Sequence, residues 1–385
     1  MRARHILIAV LAIHAVAFAI SAAQSADPAS DFDRYHQIGS TPGRPYVDYQ
    51  VEHPIGTLLV FRALARLPGG RASFGLGVVM LNLVADAIIV GSLLWGWGVV
   101  ASAYGAAALI PVLGLFFNRV DAWSTASAIL AVAAWRNNKA ITLGCALAIG
   151  TAFKLWPVAL ATLLIVPWRR DGSVTALAAF TATAAVLGGV AVWIAGTKGV
   201  VQVLTFRGAT GWQIESLAGS IVHLTDSKTL RLESGAWRIG AINSTASIAM
   251  FLAAAPICLW SSWRGARLNR VDAGWLASIS ALLLLSALLS AQYVIWLAPA
   301  AGIAWARGDR GLAVLTAIAI LLTQALWIYY GAVLDGALPA LLLVVLRNIV
   351  LGSIAVAAIA RLASGSRSEG TAETAKTAET LLSRK

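Results

Sequence analysis

Apolar runs long enough to cross a bilayer recur along almost the whole chain, divided by short polar stretches. Membrane barrel strands alternate apolar and polar residues. These runs do not, so the pattern predicts an all-α polytopic membrane protein. The segments read as 5–24, 73–94, 99–117, 123–135, 140–153, 155–168, 174–195, 239–260, 274–290, 293–306, 312–330 and 337–360. That makes about twelve membrane segments, several of them short. Pro157 beside Lys154 argues for two short segments there instead of one long span. A hinge is expected near Ser290-Ala291-Gln292-Tyr293. Residues 56–67 (GTLLVFRALARL) are too short to span, and Arg62 and Arg66 lie one helical turn apart. This stretch is expected to lie along the membrane interface.

Positive charge orients the segments. Arg2 and Arg4, the Arg136–Lys139 turn, Arg169-Arg170, the Arg264–Arg270 loop and Arg307 with Arg310 all read as cytoplasmic. Both termini are then inside. The first segment has the basic start and small residues of a signal peptide, but it is long enough to stay as an uncleaved anchor. A multi-span membrane domain is expected over 1–362, with external loops at 25–72 and 196–238. Residues 363–385, rich in Ser, Thr, Glu and Lys, read as a disordered cytoplasmic tail.

The longest polar break is DFDRYHQIGSTPGRPYVDYQVEHP, residues 31–54. Its prolines and glycines predict turns rather than a long helix. Sorted by the topology, Asp31, Asp33, His36, Asp48, Glu52, His53, Arg119, Asp121, Lys154, Arg207, Gln213, Glu215, His223, Gln292 and Tyr293 fall at the external face. The spans hold few ionisable groups, chiefly Asp86 and Arg347, and Arg347 is expected to pair with Asp86 or another buried acceptor. Ion-coupled transporters keep charge near mid-membrane. Charge gathered at one interface instead fits a reaction on an amphiphile whose head sits at the outer leaflet.

Composition agrees. The 385 residues are 59% hydrophobic and only 12% charged, and the mean hydropathy is +0.79. A soluble domain carries roughly 25% charged residues. The net charge of +12 forms no basic stripe interleaved with aromatics, so nucleic acid is not an expected partner. Cys145 and Cys258 sit in apolar runs and read as small core residues. No HExxH, CxxC, GxSxG or complete glycine-rich phosphate fingerprint occurs, and no metal or cofactor is expected. Trp95, Trp97, Trp193, Trp237 and Trp296 read as interfacial belt residues. Trp212, beside Gln213 and Glu215, reads as a sugar contact.

The ordered set DFDRY, PYVDYQVEHPIG, FNRVDAW, AFKLWPVAL, FRGATGWQIESL and SAQYVIWL resembles bacterial glycosyltransferase family 87, within the GT-C superfamily. The likeness runs over most of residues 5–360. Asp31 and Tyr35 match the family's acid four residues before a tyrosine. Pro45, Tyr46, Asp48 and Glu52 match its second stretch, while His53 and Ile55 replace a tyrosine and a proline. The resemblance implies a GT-C-like fold and an extracytoplasmic site in the bacterial plasma membrane. It further implies transfer of a hexose, usually mannose, from a polyprenyl phosphate to a glycolipid or glycan acceptor. It makes Asp31 the catalytic base, with Asp33 as the nearby rival.

The chemistry suits those residues independently. A base must take the acceptor hydroxyl's proton. The phosphate leaving group needs positive charge more than a general acid. Arg119, Lys154, Arg207 and His223 are the expected phosphate ligands. Tyr35, Asp48, Glu52, His53, Trp212, Gln213, Glu215, Gln292 and Tyr293 are the expected acceptor or sugar contacts. Inversion needs only one carboxylate near the sugar. The alternative is a transporter or flippase for a lipid-linked glycan.

Overall fold

The computed structural model describes residues 2–26, 31–51, 53–166, 172–204, 210–225, 230–233, 235–242 and 244–382. Helix α1 (Arg2–Gln24) leads to α2 (Asp31–Ser40) and α3 (Ile55–Leu64). Then come α4 (Gly70–Trp97), α5 (Val99–Leu109), α6 (Leu113–Asn118), α7 (Asp121–Arg136) and α8 (Ala140–Phe153). A 3-10 stretch, Trp156–Leu164, precedes α9 (Ser173–Leu204). After α9 lie β1 (Trp212–Gln213), α10 (Leu217–Thr225), β2 (Arg231–Glu233) and β3 (Ala236–Ile239). The chain ends with α11 (Ser244–Arg267), α12 (Val271–Leu284), a second 3-10 stretch (Ala291–Leu297), α13 (Ala298–Ala306), α14 (Arg310–Ile328), α15 (Tyr330–Leu334) and α16 (Leu338–Leu382).

Among the described residues, six helical stretches are long and apolar enough to cross a membrane: Arg2–Gln24, Gly70–Trp97, Val99–Asn118, Ser173–Thr197, Arg310–Ile328 and Leu338–Ser364. Shorter apolar helices fill the bundle between them, with α7 and α12 buried on nearly every side. Glycines permit the closest approaches. A Cβ on Gly302 would meet the Ala101 carbonyl at 2.5 Å, and one on Gly105 would meet the Leu93 side chain at 2.6 Å. Here α5 and α13 cross backbone to backbone.

Both expected breaks are present. α8 stops at Phe153, Lys154 is extended, and Pro157 opens a 3-10 run. Ser290 is likewise extended before the Ala291–Leu297 turn. Ion pairs, hydrogen bonds and ring contacts bring the α1–α4, α6–α7, α8–Trp156, α9–α11, α12–Ala291 and α14–α16 connections together at one end of the bundle. The far end collects the basic turns.

Four expectations about local structure change. Residues 31–40 form a helix, because Asp31 and Asp33 in its first turn suit the helix dipole. Phe32, Tyr35 and Ile38 give that helix one buried face. The 56–67 stretch is not laid on the surface. In α3, Gly56, Thr57, Leu58 and Phe61 are buried, the Thr57 hydroxyl donates to the Phe153 carbonyl at 2.9 Å, and Arg62 Nη2 donates to the Gly43 carbonyl at 3.0 Å. The fold is not purely helical, since β1, β3 and β2 form a small antiparallel sheet in the second loop. Finally, α16 continues to Leu382 where an unstructured tail is expected from 363. That tail's Ala, Glu and Lys have good helix propensity though they offer no apolar face.

The second loop has its own small core. Ile214 and Ile239 pack with Leu326, Val333, Ala340, Leu341 and Val344. This cluster seats the sheet and α10 on α14, α15 and α16, apart from the main core of the bundle.

Candidate active site

Charged and aromatic residues from distant stretches meet at the loop-bearing end. Asp31, in the first turn of α2, accepts from Arg119 Nη2 at 2.6 Å. Arg119 stands in the extended break between α6 and α7. Asn82 of α4 fixes that break by donating Nδ2 to the carbonyls of Phe117 and Arg119, at 2.7 and 2.8 Å. Tyr35 lies within electrostatic reach of the Arg119 guanidinium. Burial pushes the Tyr35 phenol above its usual pKa, so it stays protonated. Its ring stacks on Phe61 at 4.8 Å and meets His53 edge-on at 5.4 Å. The α2 helix is thereby fastened at the position that sets Asp31.

A second pair lies beside the first. Asp121 opens α7, fully buried, and Lys154 Nζ approaches its Oδ1 at 3.3 Å. The same oxygen accepts from Trp296 Nε1 at 3.1 Å. Trp296 is sandwiched between Trp156 at 5.2 Å and Tyr293 at 4.4 Å, and Lys154 sits 5.1 Å from the Tyr293 ring centre. The Trp156 indole donates to Ser124 Oγ at 3.0 Å. Arg119 also faces the Trp327 ring at 5.6 Å, which brings in the end of α14.

On the other side of Arg119 lies a different group. Glu215 is buried between β1 and α10, within electrostatic reach of Arg347, Arg119 and Tyr330. Burial raises its carboxyl to about 7, with Arg347 and Arg119 opposing the rise. Arg347 Nη2 donates to the Glu215 backbone carbonyl at 2.7 Å. Asn348 Nδ2 reaches the same carbonyl at 3.4 Å and Ser220 Oγ at 3.3 Å. His223, one turn beyond Ser220, is buried, and burial lowers its pKa toward a neutral ring.

The expected site residues divide accordingly. Asp31, Tyr35, Arg119, Lys154, His53, Tyr293 and Glu215 belong to this end-cluster or border it. Gln213 touches Glu215 Oε2 at 3.4 Å, and its backbone N–H bonds the Ala287 carbonyl at 3.1 Å. Trp212 is buried in β1 opposite Ile239. Gln292 Oε1 accepts from Ser290 Oγ at 2.7 Å, holding the hinge. Asp33 turns away to pair with Arg71. Asp48 is exposed and caps a turn by accepting from the Arg44 N–H at 2.7 Å. Glu52 and Arg207 lie outside the described residues.

Arg347 meets a buried acceptor other than Asp86, the Glu215 carbonyl. Asp86 is bound by His14 Nδ1 at 3.0 Å, and His14 Nε2 lies 3.1 Å from the Ala106 carbonyl. Trp296 is no belt residue but a buried hydrogen-bond donor. Trp95 and Trp193 do remain exposed.

Beside Lys154 an apolar cavity of about 200 Å³ opens between α8 and α9. Ile55, Ala152, Leu155, Phe180, Leu187 and Ala191 are among its walls. Among the described residues, no group of three or more His, Cys, Asp and Glu side chains is arranged to hold a metal ion.

No protein-family model matches the chain, and no curated protein matches it. Among solved structures, ArnT from Cupriavidus metallidurans in the apo state is similar at 14% identity. Its TM-score is 0.49 over 93% of this chain and 77% of that one. A likeness that loose carries no statement about chemistry.

Proposed function

We propose that this protein is a membrane glycosyltransferase of the GT-C type. It moves a hexose, with mannose the first candidate, from a polyprenyl-phosphate donor to a glycolipid or glycan acceptor, with inversion. The observation that carries the reading is the Asp31–Arg119 pair beside Asp121–Lys154, at one end of an apolar bundle and next to an apolar groove. Asp31 takes the acceptor hydroxyl's proton as the new glycosidic bond forms. The electron pair of the breaking C–O bond goes to the lipid phosphate, and Arg119 and Lys154 offset the charge that develops there. The α8–α9 groove takes the apolar tail. The aromatic wall of Tyr293 and Trp296 excludes water from the reacting sugar.

In this reading the loop-bearing end faces the extracytoplasmic side of a bacterial plasma membrane. The far end carries Arg136, Lys139, Arg264, Arg267, Arg270, Arg307 and Arg310, as the positive-inside bias requires of cytoplasmic turns. Both termini are then cytoplasmic, and the chain crosses in about twelve segments. Tyr35, His53, Gln213, Glu215 and Tyr293 are the nearest candidates for sugar contacts.

Purified protein incubated with polyprenyl-phosphate-mannose and candidate glycolipids, followed by mass spectrometry, tests the reading. An acceptor heavier by one hexose is expected. Full transfer by an Asp31→Asn protein would sink the assignment of the base. Retained lipid-sugar binding with no transfer by any acceptor would favour a flippase.

A further inference from the structure

The Glu215 side of the end-cluster has more polar capacity than its partners use. Among the described residues, Glu215 Oε1, Arg347 Nε and Nη1, Asn348 Oδ1 and both ring nitrogens of His223 are buried without a hydrogen-bond partner. Each such group costs about 1–3 kcal/mol if it stays unpaired. Arg347 and Asn348 are 0% and 1% exposed, and they interrupt an otherwise apolar span. Polar groups so placed mark functional sites more often than structural ones.

The kinds of atom are informative. Arg347 offers donors, Glu215 and Asn348 offer acceptors, and a neutral His223 ring offers one of each. A phosphate presents acceptors almost alone and would leave Oε1 and Oδ1 unmet. A hydroxyl both donates and accepts, so adjacent hydroxyls on one ring satisfy a mixed set. Trp327 and Tyr330, with ring centres 5.8 Å apart, supply aromatic surface close by, and Arg119 links Trp327 to Asp31.

We propose that Glu215, Arg347, Asn348 and His223 form a hydroxyl-reading subsite for a hexose ring, next to the Asp31–Arg119 pair. This rests on the glycosyltransferase reading for its place in a reaction, but binding of a sugar ring can be measured without it. The Glu215 carboxyl, raised to about 7, accepts or donates to a hydroxyl near neutral pH as needed.

The test uses full-length protein in nanodiscs and saturation-transfer NMR with a panel of methyl hexopyranosides, with inorganic phosphate as a separate probe. At least one hexoside is expected to bind, and polyprenyl-phosphate-hexose or the glycolipid acceptor to compete with it. Glu215→Gln and Arg347→Lys should each weaken hexoside binding about tenfold or more, as loss of a charged hydrogen bond implies. Both should stay folded, Glu215→Gln melting close to wild type at pH below the ordinary glutamate range, and Arg347→Lys retains the buried charge if Glu215→Gln folds poorly. Binding of phosphate alone, of no hexoside, or of hexoside equally by wild type and both variants would overturn the subsite.

Transfer kinetics separate the sources. A raised KM for the donor assigns the ring to the lipid-linked sugar, and a raised KM for the acceptor assigns it there. Hexoside binding at this cluster without any transfer activity sustains the subsite and removes the glycosyltransferase reading. Normal transfer with unchanged KM values in both variants does the reverse.

Discussion

The two sides of the end-cluster differ in how their charges are held. On the α2 side three acids each have a cation: Asp31 has Arg119, Asp33 has Arg71, and Asp121 has Lys154. On the α10 side, Glu215 and Arg347 are buried within each other's field, but no carboxylate–guanidinium contact joins them. Arg347 reaches only the backbone of residue 215. The first arrangement fixes side chains in place before anything binds. The second leaves donors and acceptors in surplus. A transferase needs both: a base and its charge partners set in advance, and a surface whose hydrogen bonds form only with the correct ring.

The comparison breaks most visibly at Asp31. Asp31→Asn keeps the shape and a hydrogen bond to Arg119 but removes the proton acceptor. Loss of a positioned general base typically costs 10²–10⁴-fold, roughly, in rate. Single-turnover transfer assays should show that loss with donor binding intact.

Next comes Asp121. Asp121→Ala takes the buried carboxylate from Lys154 and deprives Trp296 Nε1 of its acceptor. Breaking one partner out of a buried pair costs about 3–5 kcal/mol. Thermal unfolding in detergent should show a clear drop, and a Lys154→Met, Asp121→Ala double variant should recover part of it. No recovery would mean that Trp296, not the charge pair, carries the effect.

The α10 side makes an opposite demand on pH. Glu215 has a raised pKa, so the folded state holds its proton more tightly than the unfolded chain does. Its contribution to stability is complete below the ordinary glutamate range and is lost as pH rises through about 7. The size is roughly 3 kcal/mol, from the shift between 4.5 and about 7. Glu215→Gln should flatten that part of the stability–pH curve. Arg347, Arg119 and Tyr330 face the carboxyl in both proteins, so the wild-type minus variant difference isolates it. A wild-type minus variant difference that falls toward acid would contradict the burial-driven shift.

Much of this arrangement is legible in the sequence, and the reason differs by feature. Apolar runs report burial from water, so α1, α4, α9, α14 and the start of α16 stand out. The breaks are chemical, a charge and an imino acid at Lys154-Pro157 and the polar Ser290 and Gln292 at the other, and they too are visible. Partners are not. Asp121 and Trp296 are 175 positions apart, and nothing local to Trp296 separates a buried donor from a belt residue. Lipid-facing and protein-facing apolar helices also read alike, which is why α3 passes for an interfacial segment although Phe61 is wholly buried. The polar pair Arg347-Asn348 within VVLRNIVLG was a usable signal for the α10 side. His14 in α1 was another, for the pair with Asp86.

The smallest effect separates the two acids of DFD. Asp33 is 43% exposed at its side chain, and its partner Arg71 stands at the start of α4. An ion pair that open contributes about 0–1 kcal/mol. Asp33→Asn should leave the melting temperature almost unmoved and transfer within a few-fold of wild type, while Asp31→Asn abolishes it. The contrast is sharp because the two residues share a helix, a charge and a two-residue spacing, and differ only in what they face. Equal losses from both substitutions would mean that α2 acts as a unit and that Arg119 does not single out Asp31. A larger loss from Asp33→Asn would move the reacting hydroxyl to the Arg71 side and leave Arg119 and Lys154 without the phosphate.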